Sequence, residues 1–217
     1  MRNGEDRNLQ ETYYCDFSNS MVQNLSKTIL ESKNHHVLSL FEFVRDNYPL
    51  SADAVKVKAS ETAEKGYGAC WNKALLLIAL LRNSLIPSRM AKIPLKREFL
   101  EPLIGDDVQF LNNPFYHCFV QILIGDKWLF ADPSLDSKSY DVLYRPLLNG
   151  EWNITWDGRT DHILHKDKIL GPAEIIGDID NSFNSGLGNN LTPESLIPLM
   201  NRKYWEKTGW DKEMKNK

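Results

Sequence analysis

Between positions 36 and 48 apolar residues recur at helical spacing: Val37, Leu38, Leu40, Phe41, Phe43 and Val44 are interleaved with Glu42, Arg45 and Asp46. That period predicts an amphipathic helix stopped by Pro49. The stretch from Ala52 to Glu64 is Ala-rich and charged, and predicts a second, weaker helix. Then GYGAC (66–70) leads into WNKALLLIALLRNSLIP. Its two glycines permit a tight turn. Ala74 to Leu81 is apolar all round, which predicts a helix buried on most of its circumference and ending before Pro87.

Met90 to Pro114 has no clear period and reads as a long excursion with one short strand near Met90–Ile93. From Tyr116 the pattern turns to strands: HCFVQILI, a Gly125-Asp126 loop, then KWLFADPS, a hairpin. Trp152, Ile154 and Trp156 alternate with Asn153 and Thr155 after Asn149-Gly150 and suggest a second hairpin. DIDNSFNSGLGNN, beyond Gly177, reads as a linker, and Thr192-Pro193 offers an N-cap and first-turn proline for a final helix through Trp205. The expected organisation is a loosely ordered arm over 1–30, one domain over 31–180, and a linker with a C-terminal helix over 181–217.

Composition narrows the classes. A chain of 217 residues, 42% hydrophobic and 25% charged, is long enough to bury a core without disulfides or metal. Its 26 basic and 29 acidic residues give a net charge of -3. That balance argues against nucleic acid or an anionic membrane as partner, since both need a basic footprint. The N-terminus has no apolar run suited to a signal peptide, and the apolar run Ala74–Leu81 falls short of the roughly twenty residues that span a bilayer. Three cysteines, Cys15, Cys70 and Cys118, cannot build a disulfide framework. The expected compartment is the cytoplasm.

Candidate chemistry centres on Cys70, His117 and Asp132. Cys70 opens the buried helix, where the partial positive charge and free N–H groups of a helix N-terminus favour a thiolate and could hold an oxyanion. His117 and Asp132 lie on the two arms of the hairpin. With Gly125-Asp126 as the loop, Ile124 pairs with Lys127, Phe119 falls opposite Asp132 and His117 opposite Ser134. His117 and Asp132 are then diagonal neighbours on one face, as they also are with a four-residue loop; a three-residue loop would separate them. An aspartate so placed can hold an imidazole in the tautomer that accepts a thiol proton.

Other residues have simpler readings. Cys118, next to His117, points to the opposite face and reads as core, and Cys15 as incidental. Asp161, His162 and His165 lack a third convincing metal ligand, and Asp106-Asp107 falls short of the oxygens calcium requires. No metal or cofactor is expected. Trp71 could line a cleft or pack beneath it.

The segments GYGACWNKALLLIALLRNSLIPSR and YHCFVQILIGDKWLFADPS resemble the transglutaminase-like cysteine enzymes, a branch of the papain-like fold. Gly68–Cys70, Arg82–Arg89, His117–Gln121 and Trp128–Pro133 carry the likeness, with Leu85 standing where the family pattern has glycine. The resemblance implies an α+β fold with the cysteine helix packed on an antiparallel sheet. It also implies Cys70 as nucleophile, His117 as general base and acid, and Asp132 as the residue orienting His117. The implied reaction is a thioester route on a peptide, protein or small amide. Hydrolysis is slightly favoured, because water needs no second site; the alternatives are transfer to an amine, as in a transglutaminase or an amide-forming biosynthetic enzyme, and a non-catalytic peptide-binding module in the same cleft.

Overall fold

The computed structural model describes residues 6–31, 36–189, 195 and 197–214. Its centre is helix α4 (Cys70–Asn83), and every residue from Cys70 to Arg82 is buried, as the all-round apolar run requires. Three helices pack around it: α1 (Ser20–Glu31), α2 (His36–Asn47) and α3 (Ala59–Lys65). On another side lies a four-stranded antiparallel sheet. Its strands are β1 (Ser88–Leu95), β2 (Phe115–Ile124), β3 (Lys127–Ala131) and β4 (Glu174–Ile175), in the order β3-β2-β1-β4. This is an α+β fold, with one hydrophobic core shared by helix and sheet.

Ile124 pairs with Lys127 across the Gly125-Asp126 loop, and the ladder runs to Val120 opposite Ala131. The two-residue loop and its register are therefore those expected, and Gly125 supplies the positive φ of 63° that the turn needs. Beyond Ala131 the pairing stops, and Asp132 leaves the sheet edge next to His117.

Several segments differ from expectation. The first thirty residues, expected as a loose arm, contain α1, whose Val22, Ser26 and Ile29 are buried at helical spacing, and Cys15 is fully buried. The 90–114 excursion begins inside an eight-residue strand that starts at Ser88, and then forms short helical turns between Arg97 and Phe110. No strand forms over 151–156, although Trp152, Ile154 and Trp156 are buried in alternation. Their backbone carbonyls find side-chain donors instead: Tyr140 hydroxyl to Trp152 at 3.2 Å and Arg45 Nη1 to Ile154 at 3.1 Å. An extended strip can thus satisfy itself without a partner strand. The Asn- and Gly-rich stretch after Gly177 forms two short helices, Ile179–Asn184 and Gly186–Asn189, pinned by buried Ile179, Phe183 and Leu187. The long C-terminal helix spans Ile197 to Thr208; the expected cap at Thr192-Pro193 lies outside the described residues.

The end of α4 shows what Leu85 does in the glycine position. Ile86 N–H bonds Leu81 C=O and Leu85 N–H bonds Arg82 C=O, both at 2.9 Å, which is the Schellman pattern of bonds. That closure needs a left-handed residue, and Leu85 adopts φ 59° with its side chain 81% exposed. A leucine there carries a steric cost and gains no packing. Leu85→Gly is therefore expected to stabilise the fold by about 1 kcal/mol. The urea midpoint should rise with an unchanged slope; an equal or lower midpoint would show that the cap is not strained.

Candidate active site

Three local devices position Cys70. Gly66, at φ 71°, ends α3 in the left-handed conformation and its N–H bonds Thr62 C=O at 3.1 Å. Gly68 permits a close approach: a Cβ there would stand 2.8 Å from Asn72 Cβ and 3.3 Å from Thr62 Cγ2. Asn72 reaches back from the first turn of α4, its Oδ1 accepting from Ala69 N–H at 2.9 Å and its Nδ2 donating to Ala54 C=O at 3.1 Å. Lys73 N–H is the donor that closes onto Ala69 C=O, so the N–H groups of Cys70 and Trp71 precede the regular helical bonding.

His117, on β2, is opposite Ile93 of β1 and 1% exposed. Its Nε2 is 2.7 Å from Asp132 Oδ2. Asp132, fully buried, also accepts from Ser134 N–H at 3.1 Å and Leu164 N–H at 3.4 Å. Burial would push this carboxyl up, but the His117 charge and hydrogen bond, with Ser134, hold it well below the usual carboxylate range. Nδ1 of His117 forms no well-aligned bond at rest, and the polar group its ring meets is the Cys70 sulfur. The structure therefore brings Cys70, His117 and Asp132 into one chain of contacts.

The sulfur has a second neighbour. Cys118 is in the core as expected, but it also reaches the site: its thiol and its backbone N–H both interact with Cys70. The reason is that α4 packs directly on β2, so the first residue of the helix meets the strand backbone beside His117. Burial opposes a charge on Cys70, yet the Cys118 thiol, the His117 charge and hydrogen bond, and the Cys118 N–H together bring its pKa down. His117 is correspondingly raised to about 10: burial disfavours its charge, and Asp132 and Cys70 overcome that. Both shifts favour a thiolate and imidazolium pair. Cys15, by contrast, is pushed up to about 12 by burial.

A cavity of about 60 Å³ opens beside the Cys70–His117 pair. Trp71 both lines it and packs: its ring lies 6.2 Å from that of Phe115, and its Nε1 donates to Ala54 C=O at 3.2 Å. His165, which no local pattern places here, also lines the cavity. It is enclosed by the rings of Phe99, Trp152 and Tyr144 at 4.7, 4.9 and 5.3 Å, and burial pushes its pKa down to about 3. Asp161 and His162 instead brace the sheet edge. Asp161 Oδ1 accepts from Phe130 N–H at 2.9 Å, His162 N–H donates to Phe130 C=O at 2.9 Å, and His162 Nε2 lies 3.1 Å from Asn153 C=O. Asp107 of the acidic pair forms an ion pair with Lys203. Among the described residues no three His, Cys, Asp or Glu side chains are grouped to hold a metal ion. Nor is any described helix long and apolar enough to cross a membrane.

Residues 18–133 match the sequence profile of the transglutaminase-like superfamily. With more than half of it matched, the chain belongs to that superfamily. Among solved structures it is similar to a candidate cysteine protease from Cytophaga hutchinsonii, at a TM-score of 0.50 and 21% identity, covering 62% of this chain and 43% of that one. A red sea bream transglutaminase is a more distant likeness, at a TM-score of 0.40 and 14% identity, covering 94% of this chain and 42% of that one. The chain thus spans less than half the length of either neighbour. No curated protein matches it. The first likeness agrees with the papain-like arrangement of cysteine helix and antiparallel sheet.

The ion pair sets a pH signature. Iodoacetamide labelling of Cys70 should stay fast well below the usual thiol range and fall away only as pH drops through its lowered pKa. Cys15 and Cys118, both raised, should stay unreactive near neutral pH. His117→Ala should slow Cys70 markedly, as peptide mapping by mass spectrometry will show. Equal, sluggish labelling of all three thiols would mean that no ion pair exists.

Proposed function

We propose that this chain is a thiol-dependent amide hydrolase that works through an acyl-thioester on Cys70. The observation that carries the reading is the His117 Nε2–Asp132 Oδ2 bond of 2.7 Å, which leaves the imidazole face that meets Cys70 as the proton donor. The Cys70 thiolate attacks the amide carbonyl carbon, forming the C–S bond. The oxyanion that develops is met by the first-turn N–H groups of α4, with Cys70 N–H foremost. The Trp71 indole, occupied by Ala54 C=O, is not available for that task. His117 gives its proton to the departing amine as the C–N bond breaks, and Asp132 keeps the ring oriented. Neutral His117 then takes a proton from water, the hydroxyl adds to the thioester carbonyl, and the C–S bond breaks to release an acid and restore the thiolate.

A second reading, transfer of the acyl group to an amine, draws support from the apolar character of the cavity wall, which slows water and prolongs the thioester. The two are separated by following an N-acyl p-nitroanilide by mass spectrometry with and without a primary amine. Acid as the sole acyl product in both supports the hydrolase, and dominant amide formation replaces it with the transferase.

Variants test the roles. Cys70→Ala should abolish turnover with the unfolding midpoint close to wild type. Asp132→Asn should lower kcat by on the order of 10²- to 10⁴-fold. Turnover should fall on the acid side as the thiolate is protonated, and on the alkaline side near pH 10 as His117 loses the proton the leaving amine needs. Near-normal activity of either variant would refute the assignment.

A further inference from the structure

We propose that the cavity beside Cys70 binds a short, uncharged, apolar acyl group, so that the preferred amides are those of small aliphatic acids; the inference rests on Cys70 being the nucleophile. Much of its wall is built from Phe99, Leu103, Ile104 and Leu111, contributed between β1 and β2, and from Phe115, the first residue of β2. Met200 and Tyr204 of the helix Ile197–Thr208 line it as well. Among the described residues lining the cavity none is Asp, Glu, Lys or Arg.

Three of the polar side chains in that wall, Asn201, Ser51 and Tyr204, are engaged with the protein itself. Asn201 clamps the backbone of Ala52, accepting its N–H at 2.7 Å and donating to its C=O at 2.9 Å. Ser51 Oγ donates to Pro49 C=O at 3.2 Å and accepts from Trp205 Nε1 at 2.9 Å. Tyr204 hydroxyl bonds Asp136 at 3.0 Å and contacts Ser139. Ser134 donates its backbone N–H to Asp132 Oδ1 at 3.1 Å while its own hydroxyl is buried without an aligned partner, and His165 is walled in by aromatic rings. A charged or strongly polar acyl substituent would lose its hydration there and find little beyond the Ser134 hydroxyl to replace it. An apolar one gains the transfer free energy of every methylene it buries.

Size narrows the class further. At about 60 Å³ the space is well below the roughly 150 Å³ of an engineered cavity that holds benzene. A chain of about two to four carbons beyond the carbonyl fits that room. Specificity therefore resides in the acyl half of the substrate, held between the 97–111 segment and the C-terminal helix.

The test compares kcat/KM for the p-nitroanilides of acetic, butyric and succinic acids with the full chain. Each added methylene is worth about fourfold, so butyryl, with two more, should exceed acetyl by about 15-fold. The succinyl compound, of equal chain length but charged, should fall at least about 100-fold below butyryl. Met200→Ala, which enlarges the wall without touching the reacting groups, should shift the optimum towards hexanoyl. Equal rates across the series, or a preference for succinyl, overturns the acyl-pocket proposal while leaving Cys70 as nucleophile. Failure of every anilide to acylate Cys70, together with sluggish iodoacetamide labelling, overturns the nucleophile assignment itself and the pocket with it.

Discussion

One turn after Cys70, the ammonium of Lys73 is fully buried and joins three parts of the molecule that carry the site. Its Nζ donates to Arg45 C=O in α2 at 3.0 Å and to Ser134 C=O after β3 at 2.9 Å, while its own backbone belongs to α4. Burying an ammonium is costly, and here it lowers the pKa to about 8; the nearby carboxylates Asp136, Asp46 and Asp132 oppose that fall. The clamp fixes the helix that presents the sulfur relative to the loop that presents the Asp132 carboxylate. Without it, two carbonyls would be left unpaired in the core beside the reacting groups. The geometry of the site is therefore inseparable from the packing of α4.

The same dry environment treats two histidines in opposite ways. His117 and His165 have rings 5.8 Å apart, and both are buried. His117 touches a carboxylate and a sulfur, and its pKa rises to about 10. His165 is surrounded mainly by rings, with burial and the His117 charge both against protonation, and its pKa falls to about 3. Burial alone thus does not decide which imidazole carries charge; the partner does. A neutral His165 leaves the charged pair undivided and adds bulk without adding a competing cation.

How far the sequence discloses this depends on the range of the interaction involved. The helix over 36–47 and the buried helix from Cys70 are legible because their period is local, and the register of the hairpin follows from a two-residue loop and strict alternation. That register is enough to bring Asp132 beside His117. The α1 stripe of Val22, Leu25 and Ile29 is equally periodic, but it is short and set among polar residues. For Trp152, Ile154 and Trp156 the alternation reports burial correctly and pairing incorrectly, since side chains of Arg45 and Tyr140 take the place of a neighbouring strand. Nothing local marks Lys73 as a clamp, Cys118 as a neighbour of the sulfur, or His165 as cavity wall. Each depends on which elements meet, not on which residues follow one another.

The three candidate site residues lie within the superfamily match, whereas the cavity wall draws on residues both within it and beyond it. The match to the superfamily runs from 18 to 133 and so takes in Cys70, His117 and Asp132. Ser134, His165, Met200, Asn201 and Tyr204, all facing the same cavity, lie beyond it. The C-terminal helix is tied down by its own polar contacts, Asn201 to Ala52, Trp205 to Ser51 and Tyr204 to Asp136, so it holds its place against the cleft without drawing on the nucleophile. On the proposed function, this arrangement would let the reacting groups keep their geometry on α4, β2 and the Asp132 loop while wall residues from both parts of the chain set which acyl group can approach.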